Sequence, residues 1–377
     1  MRYFRPTSLV SVVALLYLGW VWLAFGTPLA WVTLGSNATE LGLPIYTDEG
    51  YDGQFTYYIA RDPLGATALI DVPAYRYQRI LLPALGWLLS FGMDWLLPFA
   101  IVMVNLMALG VSTALLEKLL VAHKVSRWYT VGYALSLGVL GTVRLGLPEV
   151  LAYGLCIGGL WFLNRDRLPQ SAVAFALAAL ARETTLLVSG AVGFHLLFFG
   201  AGSLASRLRR AVSFGIAVLL PFILLQIGLY LWLGSAGVGS GGAGASGFER
   251  IPLMGVVQIF TVGGPAVFGA LMVVIGPFVL LPTAWGLWRC WRDWRTQEWT
   301  LMTSLLLFNA AIMLFVPFST YREFVGILRF IVGLQLAVIL YAAERSRRGT
   351  LRPLRYTTFW ALTLVILIVS DAALSSP

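Results

Sequence analysis

Charge is scarce in this chain. Of its 377 residues only 11% are Asp, Glu, Lys or Arg, against about 25% in a soluble globular domain. With 59% hydrophobic residues and a mean hydropathy of +0.83, that deficit excludes a soluble protein and points to a polytopic membrane protein. Lysine is nearly missing, with Lys118 and Lys124 the whole complement. Cysteine is limited to Cys156 and Cys290, in or at the end of separate apolar segments. With no C-x-x-C or Cys/His cluster, they speak against a disulfide framework or a zinc site. His123 and His195 are isolated, which argues against a ligand role for either. No internal repeat is evident, which weakens the case for a repeat-built transporter. No stretch outside the apolar segments is long enough for a separate soluble domain, so residues 1–377 read as one all-α membrane domain.

What charge there is falls in clusters. The net +9 does not suggest nucleic acid as a partner. Basic groups recur at Arg2/Arg5, Lys118/Lys124/Arg127, Arg165/Arg167, Arg207/Arg209/Arg210, Arg289/Arg292/Arg295 and Arg345 to Arg355. These mark cytoplasmic loops by the positive-inside rule. Trp285, Trp288, Trp291 and Trp294 sit among the fifth group and read as an interfacial anchor. The N-terminal apolar run lacks a small-residue cleavage site and reads as an uncleaved first span.

About eleven transmembrane helices are expected, at roughly 8–27, 94–116, 128–143, 147–164, 170–182, 184–200, 211–234, 265–288, 299–317, 324–343 and 357–372. The apolar run 80–92 decides the topology. If it crossed, every later basic cluster would be inverted; as an interfacial or re-entrant helix on the outer side, it leaves all of them inside. The expected topology has the N-terminus cytoplasmic and the C-terminus outside. Two large outer loops result, 28–93 with its interfacial helices, and 235–264, which opens on the glycine tract Gly234–Gly247. That tract is flexible by composition, a linker or a lid.

The densest polar stretch runs from Tyr46 to Asp62 and holds Asp48, Glu49, Asp52, Arg61 and Asp62. Arg76, Tyr77 and Arg79 follow before the interfacial run. Further along, Arg144 and Glu149, then Arg182 and Glu183, then Tyr321, Arg322 and Glu323 fall at outer hairpins, with Arg329 deeper in its span. Some of these end helices and need no further reading, and Asp52 stands where an N-cap for a helix from Gly53 would stand. Arginine inside the apolar boundary, at Arg182 and Arg329, is by default a functional-site hypothesis. Carboxylates and guanidiniums on one face suit a reaction needing a proton acceptor and a clamp for a phosphate leaving group.

The segment Tyr51-Asp52-Gly53-Gln54-Phe55-Thr56-Tyr57-Tyr58-Ile59-Ala60 resembles the aromatic-Asp … Ile-Ala signature in the first luminal loop of GT-C glycosyltransferases, notably the glycosylphosphatidylinositol mannosyltransferases and bacterial proteins of cell-surface glycopolymer formation. Tyr75 to Leu85 resembles the aromatic–proline–leucine stretch that follows there, and Ala181 to Thr185 the Arg-centred turn between two mid-chain helices. The likeness is concentrated in residues 46–90 and fades beyond about residue 200, and Tyr51 stands where the family usually has Trp.

The resemblance implies a GT-C-like fold and an inverting transfer of sugar from a polyprenyl-phosphate donor to a glycan or lipid acceptor. It implies an extracytoplasmic site in a bacterial inner membrane and a role in cell-envelope glycopolymer synthesis. It makes Asp52 the general base, with Asp48 and Glu49 as alternative base or metal ligands. Arg182, Arg322 and Arg329 are candidates for the donor phosphate. Tyr57, Tyr58, Arg76, Tyr77, Arg79 and Glu183 are candidates for substrate binding. Some relatives use a divalent metal, which nearby carboxylates would hold, and no other cofactor is implied. Two other readings stand beside it: a transporter or flippase of lipid-linked sugars, and a non-catalytic partner in envelope polysaccharide assembly.

Overall fold

The computed structural model describes residues 5–242, 244, 246–346 and 351–375. Arg2, Arg347 and Arg348 of the basic clusters, and Ala243 and Ala245 of the glycine tract, lie outside the described residues. Among the described residues all regular structure is helical. Five helices are long and apolar enough to cross a bilayer: Pro6–Phe25, Leu97–Ala122, Leu204–Leu233, Met254–Arg295 and Arg352–Ser375. The Phe324–Phe330 and Val332–Arg345 helices, bent by 44° at their junction, make a sixth if counted as one span. The protein is thus an integral membrane protein with an all-α fold.

Local chemistry sets the helix ends. Proline opens Pro6–Phe25 and occupies the first turn of Leu97–Ala122, where its missing N–H costs nothing. Gly26 and Gly234 close their helices in the left-handed conformation (φ 72° and 74°). The run expected to lie at the interface forms Leu81–Ser90. At about 1.5 Å per residue this helix reaches roughly half the hydrocarbon thickness. The break at Arg182–Glu183 is present: Leu168–Ala181 ends there, Arg182 is extended (φ −159°, ψ 122°), and Leu186–Phe198 follows.

Two segments differ from expectation. Residues 128–143 do not form one helix. They form short pieces, Arg127–Tyr129, Thr130–Ala134, the π-turn Leu137–Gly141 and Thr142–Arg144, with Ser136 extended between them. Residues 136–144 of this segment are all buried, and Gly138 packs directly on the Leu328 carbonyl, where a side chain would clash. The second difference is in the expected loop 235–264, whose latter part is helical from Met254. The apolar side chains Val256, Val257, Ile259 and Phe260 carry that helix to a break at Gly264 (φ 76°, ψ 175°) before Pro265, whose ring cannot continue it.

A closed ion pair lies deep in the bundle. Arg144 donates from Nε and Nη2 to the two carboxylate oxygens of Asp371, at 2.7 and 2.6 Å. Its Nη1 reaches the Ala30 carbonyl and Thr33 Oγ1, at 2.9 and 2.8 Å. Tyr17 OH donates to Asp371 Oδ2 at 2.6 Å. First helix, last helix, the broken 128–144 segment and the start of the first loop therefore meet at one bidentate pair with both members 2% exposed. Removing one partner of such a pair leaves an uncompensated buried charge, typically worth about 3–5 kcal/mol. Asp371→Ala should destabilise the detergent-solubilised protein by about that much in chemical denaturation. The double change Arg144→Met/Asp371→Leu should lose less than the two single changes summed. A loss under about 0.5 kcal/mol in Asp371→Ala would contradict the anchoring role.

Candidate active site

The site is assembled on the first loop. Gln54 pins that loop: its Oε1 accepts from Gly35 N at 3.0 Å and its Nε2 donates to the Glu49 carbonyl at 3.0 Å. Gly53 opens the Gly53–Arg61 helix and packs against the Leu145 carbonyl with no space for a side chain. This fixes Asp52 at the helix start. Its carboxylate does not cap that helix, since no side-chain cap bond forms. It turns to two arginines instead: Oδ1 accepts from Arg76 Nη1 at 2.9 Å, and Oδ2 from Arg329 Nη1 at 2.9 Å.

Each arginine is anchored by its other edge. Arg76, from the short Pro73–Tyr77 helix, grips Asp71 through Nε and Nη2 at 2.9 and 2.8 Å, with its guanidinium carbon 4.1 Å from the centre of the Phe55 ring. Arg329 donates from Nε to Glu149 Oε1 at 2.6 Å, and from Nη1 also to Tyr51 OH at 2.8 Å. Glu149 is fully buried at the first position of the Glu149–Leu163 helix, where the helix dipole favours negative charge. The same Oε1 accepts from Arg182 Nη1, while Oε2 is buried without a hydrogen-bond partner among the described residues. Arg182 Nε reaches Thr184 Oγ1 at 3.1 Å. Arg79 forks onto Glu183 through Nε and Nη2, at 2.9 and 2.6 Å, and Nη2 also bonds Tyr75 OH at 2.8 Å.

A narrow cleft opens on this network. Asp52, Arg76 and Arg79 supply its charge, and Phe55, Ile59, Pro83 and Leu147 its apolar walls. Asp52 is the acid in its lining, with 30% of its side chain accessible. Burial pushes the Asp52 carboxyl up, but the Arg329 and Arg76 guanidiniums outweigh it and hold the group well below the usual carboxylate range. The residue is therefore ionised at neutral pH. The glycine tract lies over the arginines: a Cβ built on Gly242 would sit 3.0 Å from Arg76 Nη2, and Ser246 N donates to Ser319 Oγ at 3.0 Å.

The structure thus brings Asp52, Arg76, Arg79, Arg182, Glu183 and Arg329 into one region. Arg182 meets Asp52 only through Glu149 and Arg329. Asp48 and Glu49 are exposed on a turn, and only their backbone carbonyls take part in hydrogen bonds among the described residues. Arg322 is exposed, beside Gly244, and forms no ion pair among the described residues. Tyr57 and Tyr58 are core residues packed edge to face, each 1% exposed. Tyr77 is likewise buried, against Trp232, with its OH on the Pro63 carbonyl at 2.8 Å. These three tyrosines pack the scaffold and do not line the cleft. Glu149, Tyr51, Tyr75 and Asp71 do belong to the network, and only the rarity of charge in apolar sequence signals Glu149.

Comparison of the chain with protein-family models, curated proteins and solved structures returned no match. Among the described residues no group of three or more His, Cys, Asp or Glu side chains is placed to hold a metal ion. The carboxylates nearest the cleft are each engaged by guanidiniums. This donor set does not fit a divalent metal.

The depressed Asp52 carboxyl has a consequence for stability. A group whose folded value lies below its unfolded value stabilises the fold above the unfolded value, about pH 3.9. That contribution fades as pH falls toward the folded value. Wild-type thermal stability should drop between about pH 4 and pH 2 more steeply than that of Asp52→Asn. Matching acid limbs in the two proteins would show that the Asp52 pairs contribute nothing to stability.

Proposed function

We propose that the protein is a GT-C-type glycosyltransferase that moves a sugar from a polyprenyl-phosphate donor to a hydroxyl of a glycan or lipid acceptor. The carrying observation is Asp52, set on the cleft between Arg76 and Arg329 instead of capping its own helix. In the reaction the acceptor oxygen forms a bond to the anomeric carbon while its proton passes to the Asp52 carboxylate. The bond from that carbon to the phosphate oxygen breaks on the opposite face, with inversion. Its electron pair stays on the phosphate, where guanidinium donors stabilise the growing charge. Arg76 and Arg329 are nearest, with Arg182 and the exposed Arg322 as further donors. Phe55, Ile59 and Pro83 offer apolar contact beside them.

In this reading the chain spans a bacterial inner membrane eleven times, as one domain with its N-terminus in the cytoplasm. The six membrane-length elements are joined by Glu149–Leu163, Leu168–Ala181, Glu183–Phe198 and Leu301–Ile312 and by the broken 128–144 segment. Leu81–Ser90 stays in the outer interface, and the site faces outward to serve envelope glycopolymer synthesis. A second reading, a transporter of lipid-linked sugars, draws on the bend between Phe324–Phe330 and Val332–Arg345 beside Arg329, since discontinuous helices recur at transporter sites.

Two experiments test these statements. Transfer from a polyprenyl-phosphate sugar by purified Asp52→Asn should fall by about 10²–10⁴-fold, the usual worth of a general base, with Asp48→Asn and Glu49→Gln near wild type. Full transfer by Asp52→Asn would remove the enzyme reading, and movement of the donor without a covalent product would favour the transporter. For topology, Phe91→Cys and Lys124→Cys should react with a membrane-impermeant thiol reagent from opposite sides, over a low background because Cys156 and Cys290 are buried. Phe91 is expected on the outer side and Lys124 on the cytoplasmic side, and labelling with the two sides exchanged would invert the assignment.

A further inference from the structure

We propose that a phosphate ester entering the cleft takes the Arg76 and Arg329 contacts away from Asp52, so that the carboxylate is released as proton acceptor only in the loaded site. The inference rests on the reading of this cleft as a phosphate site, and adds how the base is switched on.

Three observations carry it. First, each of four arginines already carries a carboxylate. Arg76, Arg79, Arg182 and Arg329 are all paired to Asp52, Asp71, Glu149 or Glu183. An anion that binds Arg76 or Arg329 through the Nη1 now held by Asp52 therefore competes with that carboxylate.

Second, the two contacts to Asp52 are the replaceable ones. Arg76 spends its Nε and Nη2 edge on Asp71 and offers Asp52 only Nη1. Arg329 is held at Nε by Glu149 and offers Asp52 only Nη1. Arg76, on the cleft wall, can pass its Nη1 from carboxylate to phosphate while its Asp71 edge stays fixed, and the buried Arg329 would follow by turning the Nη1 that it also shares with Tyr51 OH. Arg79 and Arg182, turned onto Glu183 and Glu149, lack this arrangement toward Asp52.

Third, Asp52 and Arg76 both line the cleft, and Asp52 is more exposed (30%) than Asp71 (19%), Glu183 (22%) or Glu149 (0%). A ligand in the cleft meets this pair first. While both guanidiniums bind it, Asp52 is a poor proton acceptor. Transfer of both to phosphate takes their hydrogen bonds from Asp52 and sets a negative charge beside them, and both changes raise the basicity of the carboxylate. The donor thereby prepares the base, and an empty site does not activate an acceptor hydroxyl.

The test is equilibrium binding to the full-length protein in nanodiscs, with polyprenyl monophosphate, inorganic phosphate and phosphate-free polyprenol as separate probes. Asp52→Asn should bind polyprenyl monophosphate about tenfold tighter than wild type, because the competing charged acceptor is gone. Asp48→Asn, an exposed carboxylate outside the network, should bind as wild type does. Arg76→Gln should bind about tenfold weaker. A gain with inorganic phosphate as well assigns the exchange to phosphate itself, and a gain with the lipid phosphate alone assigns it to a lipid-borne one.

Unchanged or weaker binding by Asp52→Asn, an equal gain in Asp48→Asn, or a gain with polyprenol would overturn the exchange. If Asp52→Asn does not fold, Arg76→Gln decides: phosphate binding equal to wild type would overturn the proposal. The result separates from the enzyme reading. Tighter phosphate binding by Asp52→Asn with no transfer by wild type would leave the exchange and remove the enzyme. Transfer by wild type without that gain would do the reverse.

Discussion

One buried carboxylate organises the charged half of this molecule. Glu149 has no solvent exposure, and a single oxygen of it accepts from both Arg182 and Arg329. Without it, two guanidiniums would face each other in an apolar bundle, where charge interactions are several times stronger than in water. With it, the break after Leu168–Ala181, the start of Glu149–Leu163 and the Phe324–Phe330 helix are drawn to one point. Arg329 then extends the link to Asp52, and Arg76 continues it to Asp71. The first loop is thus docked on the bundle by a chain of alternating charge.

The Arg144–Asp371 pair shows what a purely structural ion pair looks like in the same protein. It is bidentate, both partners are almost wholly buried, and all the remaining contacts of Arg144 are to backbone or hydroxyl oxygens. The Asp52 pairs differ in kind. They are single contacts to two different arginines, on the wall of a cleft, with a partly exposed carboxylate between them. Two ion pairs in one fold thus differ in geometry: a closed, buried fork joins helices, and an open bridge lies at the wall of a cleft.

Much of this was legible in the sequence because charge is so rare there. In a chain with 11% charged residues, Asp52, Arg76, Arg79, Arg182, Glu183 and Arg329 stand out, and each lies in the network. The break at Arg182–Glu183 and the short helix Leu81–Ser90 follow from composition and length in the same way. Other features left no such trace. Tyr57, Tyr58 and Tyr77 sit in a polar-looking loop, but tyrosine carries a large apolar body, and burial of that body won. Glu149 reads as a helix-tip acid, and only the fold shows that two distant arginines converge on it. Asp371 is near the chain end, and its partner is 227 residues away. In the broken segment 128–144, Gly132 and Gly138 lie directly against the Thr357 and Leu328 carbonyls, contacts with residues some 190–225 positions away that apolar length does not reveal.

The near-absence of lysine gains its meaning from these junctions. Lysine presents one compact charge, whereas guanidinium presents a planar fork whose edges serve different partners at fixed angles. Arg329 joins Glu149, Tyr51 and Asp52 at once, Arg76 joins Asp71 and Asp52, and Arg144 joins Asp371 to two acceptors on the first loop. A single ammonium on any of these stems would hold one of the carboxylates and strand the other in a medium where an unpaired charge is costly. Arginine also stays charged under desolvation that would neutralise lysine. Where a fold must bury cations among helices and join each to more than one acceptor, the fork is the side chain that satisfies both demands.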